Sequence, residues 1–118
     1  MSLPPYLLRQ QQHKIGKAGR KSETRLAKAL GGRARPASGA MQGAKGDIAF
    51  TEFLMEAKST TSASLGLKHE WLVKIAKEAL AVGKRPVLAV SFVLPDGNAI
   101  KDGDWCCVPR YVFEEWLA

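Results

Sequence analysis

Pro86-Val87-Leu88-Ala89-Val90-Ser91-Phe92-Val93-Leu94 is a near-continuous apolar run. Gly83 precedes it and the turn signal Pro95-Asp96-Gly97-Asn98 follows it. A run of that length between breakers predicts a strand buried on both faces, as in sheets covered by helices. The flanking sequence agrees. From about Leu65 to Val82, Leu72, Ile75, Ala76, Ala79 and Leu80 recur at spacings of three and four, which predicts a helix. From about Lys17 to Leu30 a second helical pattern carries Leu26 and Leu30, and Gly31-Gly32 stops it.

Between these helices, Arg33 to Arg35 predicts a short strand. Pro36 to Gly46 follows as a loop of small residues, and then a hairpin. Asp47-Ile48-Ala49-Phe50 is its first strand, Thr51-Glu52 the turn and Phe53 to Lys58 the second strand. Ser59 to Ser64 is a polar connector. After the apolar run, Asp104 to Val108 predicts one more strand, and Pro109 opens a short helix, Arg110 to Leu117. The predicted fold is α/β: a mixed central sheet with helices on its faces, in the order helix, three strands, helix, two strands, short helix.

A chain of 118 residues holds one domain. Residues 1–15 lack a periodic apolar face and are expected to be a basic, flexible tail ahead of a single domain at 16–118. No run of about 18 apolar residues is present, so no membrane span is expected. The N-terminus lacks the charged and apolar regions of a secretory signal. Cys106 and Cys107 are adjacent and alone, which suits neither a disulfide nor a four-thiolate zinc site. A reducing cytoplasm is the expected location. Trp71, Trp105 and Trp116 are expected to be core or interface anchors.

Charge is distributed unevenly. Residues 1–45 carry ten Lys/Arg and one acid, Glu23, a net +9; residues 46–118 carry eight basic and ten acidic residues, a net −2. A basic half of this kind attracts phosphate backbones. Arg20, Lys21, Arg25 and Lys28 are expected on the exposed side of the first helix. Arg20, Lys21, Arg25, Arg33, Arg35 and Lys45 are the candidate DNA contacts. The alternative is a solvated helix face with a loose tail.

The basic half leads into the hairpin, where the chemistry concentrates. Glu56 and Lys58 are two apart on a strand and share a face with Leu54; Phe53, Met55 and Ala57 share the other. Asp47 begins the preceding strand and can lean over Glu56. Two close carboxylates repel unless a positive charge lies between them, and a divalent metal is the usual remedy. Mg²⁺ binds one or two protein carboxylates and completes its shell with waters and substrate phosphate. Asp47 and Glu56 meet that count, the Ala57 carbonyl is a further candidate ligand, and Lys58 can orient water or offset charge on a phosphoryl group. The alternatives are a turn cap at Asp47 and an exposed ion pair at Glu56 and Lys58.

Gly46-Asp47 followed by Glu56-Ala57-Lys58 resembles the signature of the PD-(D/E)xK nuclease superfamily, with glycine where the family name has proline. Within it, the chain is most similar to Holliday junction resolvases of the archaeal type and their phage-encoded relatives. The similarity takes in the basic segment Lys17 to Lys21, Glu23 in the first helix, and Ser38-Gly39 before the Gly-Asp. It extends from about Lys17 to Phe92.

The resemblance implies a restriction-endonuclease-like αβββαβ core and Mg²⁺-dependent hydrolysis of DNA, with Mn²⁺ able to substitute. It implies that Asp47 and Glu56 bind metal, that Glu23 assists metal or water from the helix, that Lys58 is catalytic and that Ser38 lies near the scissile phosphate. The bland alternatives are a surface helix residue for Glu23 and an ordinary loop serine for Ser38. The resemblance also implies a four-way DNA junction as substrate, a homodimer that makes paired cuts, and no small-molecule cofactor. Two other functions share these residues: a general, nicking or repair/restriction-type nuclease, and a basic DNA-binding protein without activity. The second helix opens with Lys68, His69 and Glu70, and Lys68 or Glu70 could approach the site; a solvated helix start is the favoured reading of both.

Overall fold

The computed structural model describes the backbone of residues 5–34 and 48–118, with side chains from Ala18 onward. The element order is α1 (Pro5–Leu30), β1 (Arg33–Ala34), β2 (Ile48–Ala49), β3 (Phe53–Thr60), α2 (His69–Ala81), β4 (Arg85–Val93), β5 (Ala99–Cys107) and α3 (Arg110–Leu117). The five strands form one mixed sheet in the order β1-β2-β3-β4-β5. β3 and β4 are parallel, and every other neighbouring pair is antiparallel. The parallel pair requires a crossover, and α2 supplies it.

The two faces of the sheet are covered by different helices. Leu26 and Ala27 of α1 pack with Ile48, Met55, Val87 and Ala89 on one face. Ile75 and Ala79 of α2 pack with Leu54 on the other. β4 is buried along almost its whole length, as its apolar run predicts. β3 alternates as its period requires: Met55 and Ala57 toward α1, Leu54 toward α2. Each fully buried leucine or isoleucine removed from water contributes on the order of 2 kcal/mol.

Several boundaries differ from the sequence expectation: α2, expected from about Leu65, begins at His69, and β3, expected to end at Lys58, runs on to Thr60. The helix expected from Lys17 begins at Pro5, so the backbone of residues 5–15, expected as a tail, continues α1. Pro5 stands at the first helical position, where its missing N–H costs no hydrogen bond, and the glutamine run that follows has good helix propensity. The last strand begins at Ala99, five residues before the expected Asp104. Its added half, Ile100-Lys101-Asp102, is exposed and lacks an apolar face to signal a strand.

The β4–β5 connection packs against α1. Gly97 has φ of +88°, and a Cβ placed there would stand 2.6 Å from Cβ of Lys21 and 3.1 Å from the carbonyl oxygen of Ala18. Only glycine satisfies both the left-handed backbone and this close approach. Beside it, Arg25 donates through Nη1 and Nη2 to the Asp104 carboxylate at 2.7 and 2.9 Å, and through Nε to the Gly97 carbonyl at 3.2 Å. Ser91, buried in β4, donates to the same carboxylate at 2.7 Å. Arg25 is therefore corrected from an exposed cation to an internal clamp joining α1, the turn and β5.

None of the three tryptophans is a core residue: Trp71 is half-buried, and Trp105 and Trp116 are exposed. Trp116 on α3 lies 6.5 Å from Phe53, ring centre to ring centre. Among the described residues, no helix is long and apolar enough to cross a membrane.

Candidate active site

Glu56 and Lys58 point to the α2 face of the sheet, the face that Leu54 occupies two residues earlier. α2 crosses β3 in the opposite direction, so its residues meet the strand in reverse order. Ile75 and Ala79 meet Leu54, Lys74 meets Glu56, and Trp71 meets Lys58. Trp71, Lys74 and Glu78 lie at i, i+3 and i+7 and so share one stripe of the helix.

Glu56 is 7% exposed. A carboxylate buried that far is strongly disfavoured unless opposite charge lies close to it. Two ammonium groups supply that charge: Lys58 Nζ and Lys74 Nζ each lie 3.6 Å from Glu56 Oε1. Both are ion pairs longer than an ordinary hydrogen bond. Lys74 also lies 3.5 Å from Glu78 Oε1, so its ammonium stands between two carboxylates. The Lys58 ammonium is 4.8 Å from the centre of the Trp71 ring and that of Lys68 is 5.7 Å from it, both within cation–π range. The result is a cluster of three lysines, one tryptophan and one buried carboxylate beside the first half of α2.

The expected site residues are not all brought to this cluster. Glu56 and Lys58 are adjacent, as the period of β3 requires. Ala57, between them, faces α1 and pairs with Ala89. Glu23 is half-buried on α1, which covers the opposite face of the sheet from the one Glu56 points to. Arg20, Lys21 and Arg33 are exposed, the first two on α1 and the third on β1. Asp47, Ser38, Arg35 and Lys45 lie outside the described residues. The first described residue of β2, Ile48, pairs with Met55, the neighbour of Glu56.

Lys74 and Glu78 were not among the expected site residues. Their signal was present in the spacing from Trp71, but a lysine and a glutamate on a helix read equally well as a solvated i, i+4 pair. Lys68 reaches the cluster through Trp71, whereas Glu70 is an exposed residue of the first turn.

Among the described residues there is no group of three or more His, Cys, Asp or Glu placed to hold a metal ion. The donor chemistry at Glu56 nevertheless fits a hard cation. Its ligand atoms are oxygens, its charge is balanced by displaceable ammoniums, and Mg²⁺ needs only one or two protein carboxylates. An apolar groove of about 330 Å³ lies on the same face of the sheet, between α2 and β4–β5, where Leu88 is the register partner of Glu56. Leu72, Ile75, Leu88, Val108 and Pro109 line it together with His69 and Cys107, so its walls are mainly apolar and carry no ammonium or carboxylate. No protein-family model, no curated protein and no solved structure matches this chain.

Proposed function

We propose that this protein is a Mg²⁺-dependent, structure-selective DNA endonuclease that acts on four-way junctions, with a restriction-endonuclease-like core. The observation that carries the proposal is the buried Glu56 carboxylate with Lys58 beside it on the same strand face, in a chain of net charge +7. A buried carboxylate flanked by lysines suits a hard cation and an anionic substrate together. The order of the first six elements, α-β-β-β-α-β, and the parallel β3–β4 pair are compatible with the PD-(D/E)xK resemblance.

Glu56 and Asp47 would hold the metal. Bound there, Mg²⁺ would supply Lewis-acid stabilisation of the phosphoryl group and a more acidic water. Lys58 contributes a mobile positive charge whose position is restrained by Glu56 and by the Trp71 ring. In the proposed reaction it orients the attacking water or offsets charge on the non-bridging oxygens. The exposed cations Arg20, Lys21 and Arg33 add affinity for the backbone without base readout. A homodimer would place two such sites for symmetric cuts.

The test is incubation with a four-way junction, a linear duplex and a single strand, each with Mg²⁺ or EDTA. Paired symmetric nicks on the junction, dependent on Mg²⁺, are expected. Equal cutting of all three substrates would replace junction selectivity with general nuclease activity. Binding without cuts in Mg²⁺ would overturn the enzymatic assignment.

A further inference from the structure

We infer that Lys74 is a second anion-contacting cation of this site, held over Glu56 in the free protein and released toward a backbone phosphate when a divalent cation takes that carboxylate. This rests on the proposed nuclease site and adds to it a residue on α2.

The geometry gives Lys74 two roles that Lys58 alone does not fill. Its ammonium is 3.6 Å from Glu56 Oε1, the same oxygen that Lys58 approaches. Two ammoniums therefore converge on one carboxylate oxygen. A cation binding Glu56 must compete with both, because the carboxylate cannot be neutralised several times over without cost. Lys74 is the easier to displace. Its side chain is 56% exposed, against 32% for Lys58, and Lys58 is additionally restrained beside Trp71.

Lys74 also has somewhere to go. Glu78, one turn further along α2 and 3.5 Å from the same ammonium, keeps it near the site once Glu56 is given up. An exposed ammonium tethered at the rim beside Lys58 and Lys68 is placed to meet an anion approaching Glu56. A phosphodiester strand is the anion that matches several cations in a row.

The inference predicts effects of opposite sign on two measurements. Lys74→Met keeps the aliphatic stem and removes the charge. In titration calorimetry without DNA, this variant should bind Mn²⁺ more tightly than wild type, on the order of threefold or more, because a positive charge close to the ligand is gone. In Ca²⁺, its binding to a four-way junction should weaken, and the slope of log affinity against log salt should fall by about 0.9, the value for one phosphate neutralised. In EDTA, where Lys74 remains on Glu56, junction binding should match wild type. Lys74→Arg should restore the slope.

Unchanged Mn²⁺ affinity and unchanged slope in Lys74→Met would overturn the inference. So would a fall in both affinities with a lower melting temperature, which marks a purely structural role. Wild-type protein that takes up no Mn²⁺ would overturn it together with the nuclease proposal. Wild type that binds Mn²⁺ and junction and shows the Lys74 effects but never cuts would overturn the nuclease proposal alone.

Discussion

Arg25 commits its guanidinium to Asp104, Ser22 and the Gly97 carbonyl at once. The hydrogen bonds from Arg25, more than the coulombic attraction, hold the Asp104 carboxyl below its usual range; Ser91 adds to the effect and partial burial opposes it. A carboxyl whose folded-state pKa is depressed stabilises the fold above its unfolded value, near 4, and that contribution disappears as pH falls through the folded value. Asp104→Asn should therefore cost about 1–2 kcal/mol at pH 7, a modest figure because the side chain is part-exposed. The difference from wild type should shrink on titration from about pH 4 downward, measured by urea unfolding across that range. A constant difference would mean that Asp104 acts through packing and not through charge. The clamp was not legible in the sequence. Arg25 falls among Arg20, Lys21 and Lys28 in a basic helix, and its partner is 79 positions away. Glu56 and Lys58 were legible because their relation is local: two residues apart on a strand is one face, whatever the rest of the chain does.

At the scale of elements, period located β3 and α2, an unbroken apolar run located β4, and Pro109 marked the start of α3, each a signal carried by the local sequence. The start of α1 and the first half of β5 were hidden, since neither carries an apolar stripe. The β4–β5 turn was visible as Pro95-Asp96-Gly97-Asn98, but its packing against α1 was not. That packing makes Gly97 the most constrained position of the turn. Gly97→Ala should lower stability by about 1–3 kcal/mol, through strain at positive φ and the clash with α1, read as a drop in melting temperature. A neutral effect would mean that the turn can move away from α1 freely. Leu54 is fully buried in the α2-facing cluster, two residues before Glu56 on the same face. Leu54→Ala should cost about 2–5 kcal/mol by thermal or urea unfolding, and a cost near zero would contradict its place in that core.

For the whole molecule, the sheet separates two kinds of positive charge. The cations of α1 belong to the helix on one face, whereas Lys58, Lys68 and Lys74 gather on the other around Glu56 and Trp71. The charge asymmetry of the sequence marked the first group and gave no hint of the second, because Lys68 and Lys74 lie in the acidic half of the chain. The two groups should be separable by experiment. Alanine at Arg20 and Lys21 should weaken DNA binding and reduce its salt slope by about 0.9 for each phosphate no longer neutralised, with the rate of cutting at saturating protein unchanged. A fall in that saturating rate would place these cations in the chemistry and not only in binding.

The central claim is that the buried carboxylate of Glu56 serves a metal-dependent reaction on DNA. Glu56→Gln tests it most directly, because the amide keeps the shape of the side chain and removes its charge. Junction nicking by this variant in Mg²⁺ should fall at least about 10²-fold, the scale expected when one electrostatic element of a reaction centre is removed. Junction binding in EDTA should be retained. Nicking at the wild-type rate by a folded Glu56→Gln protein would contradict the account.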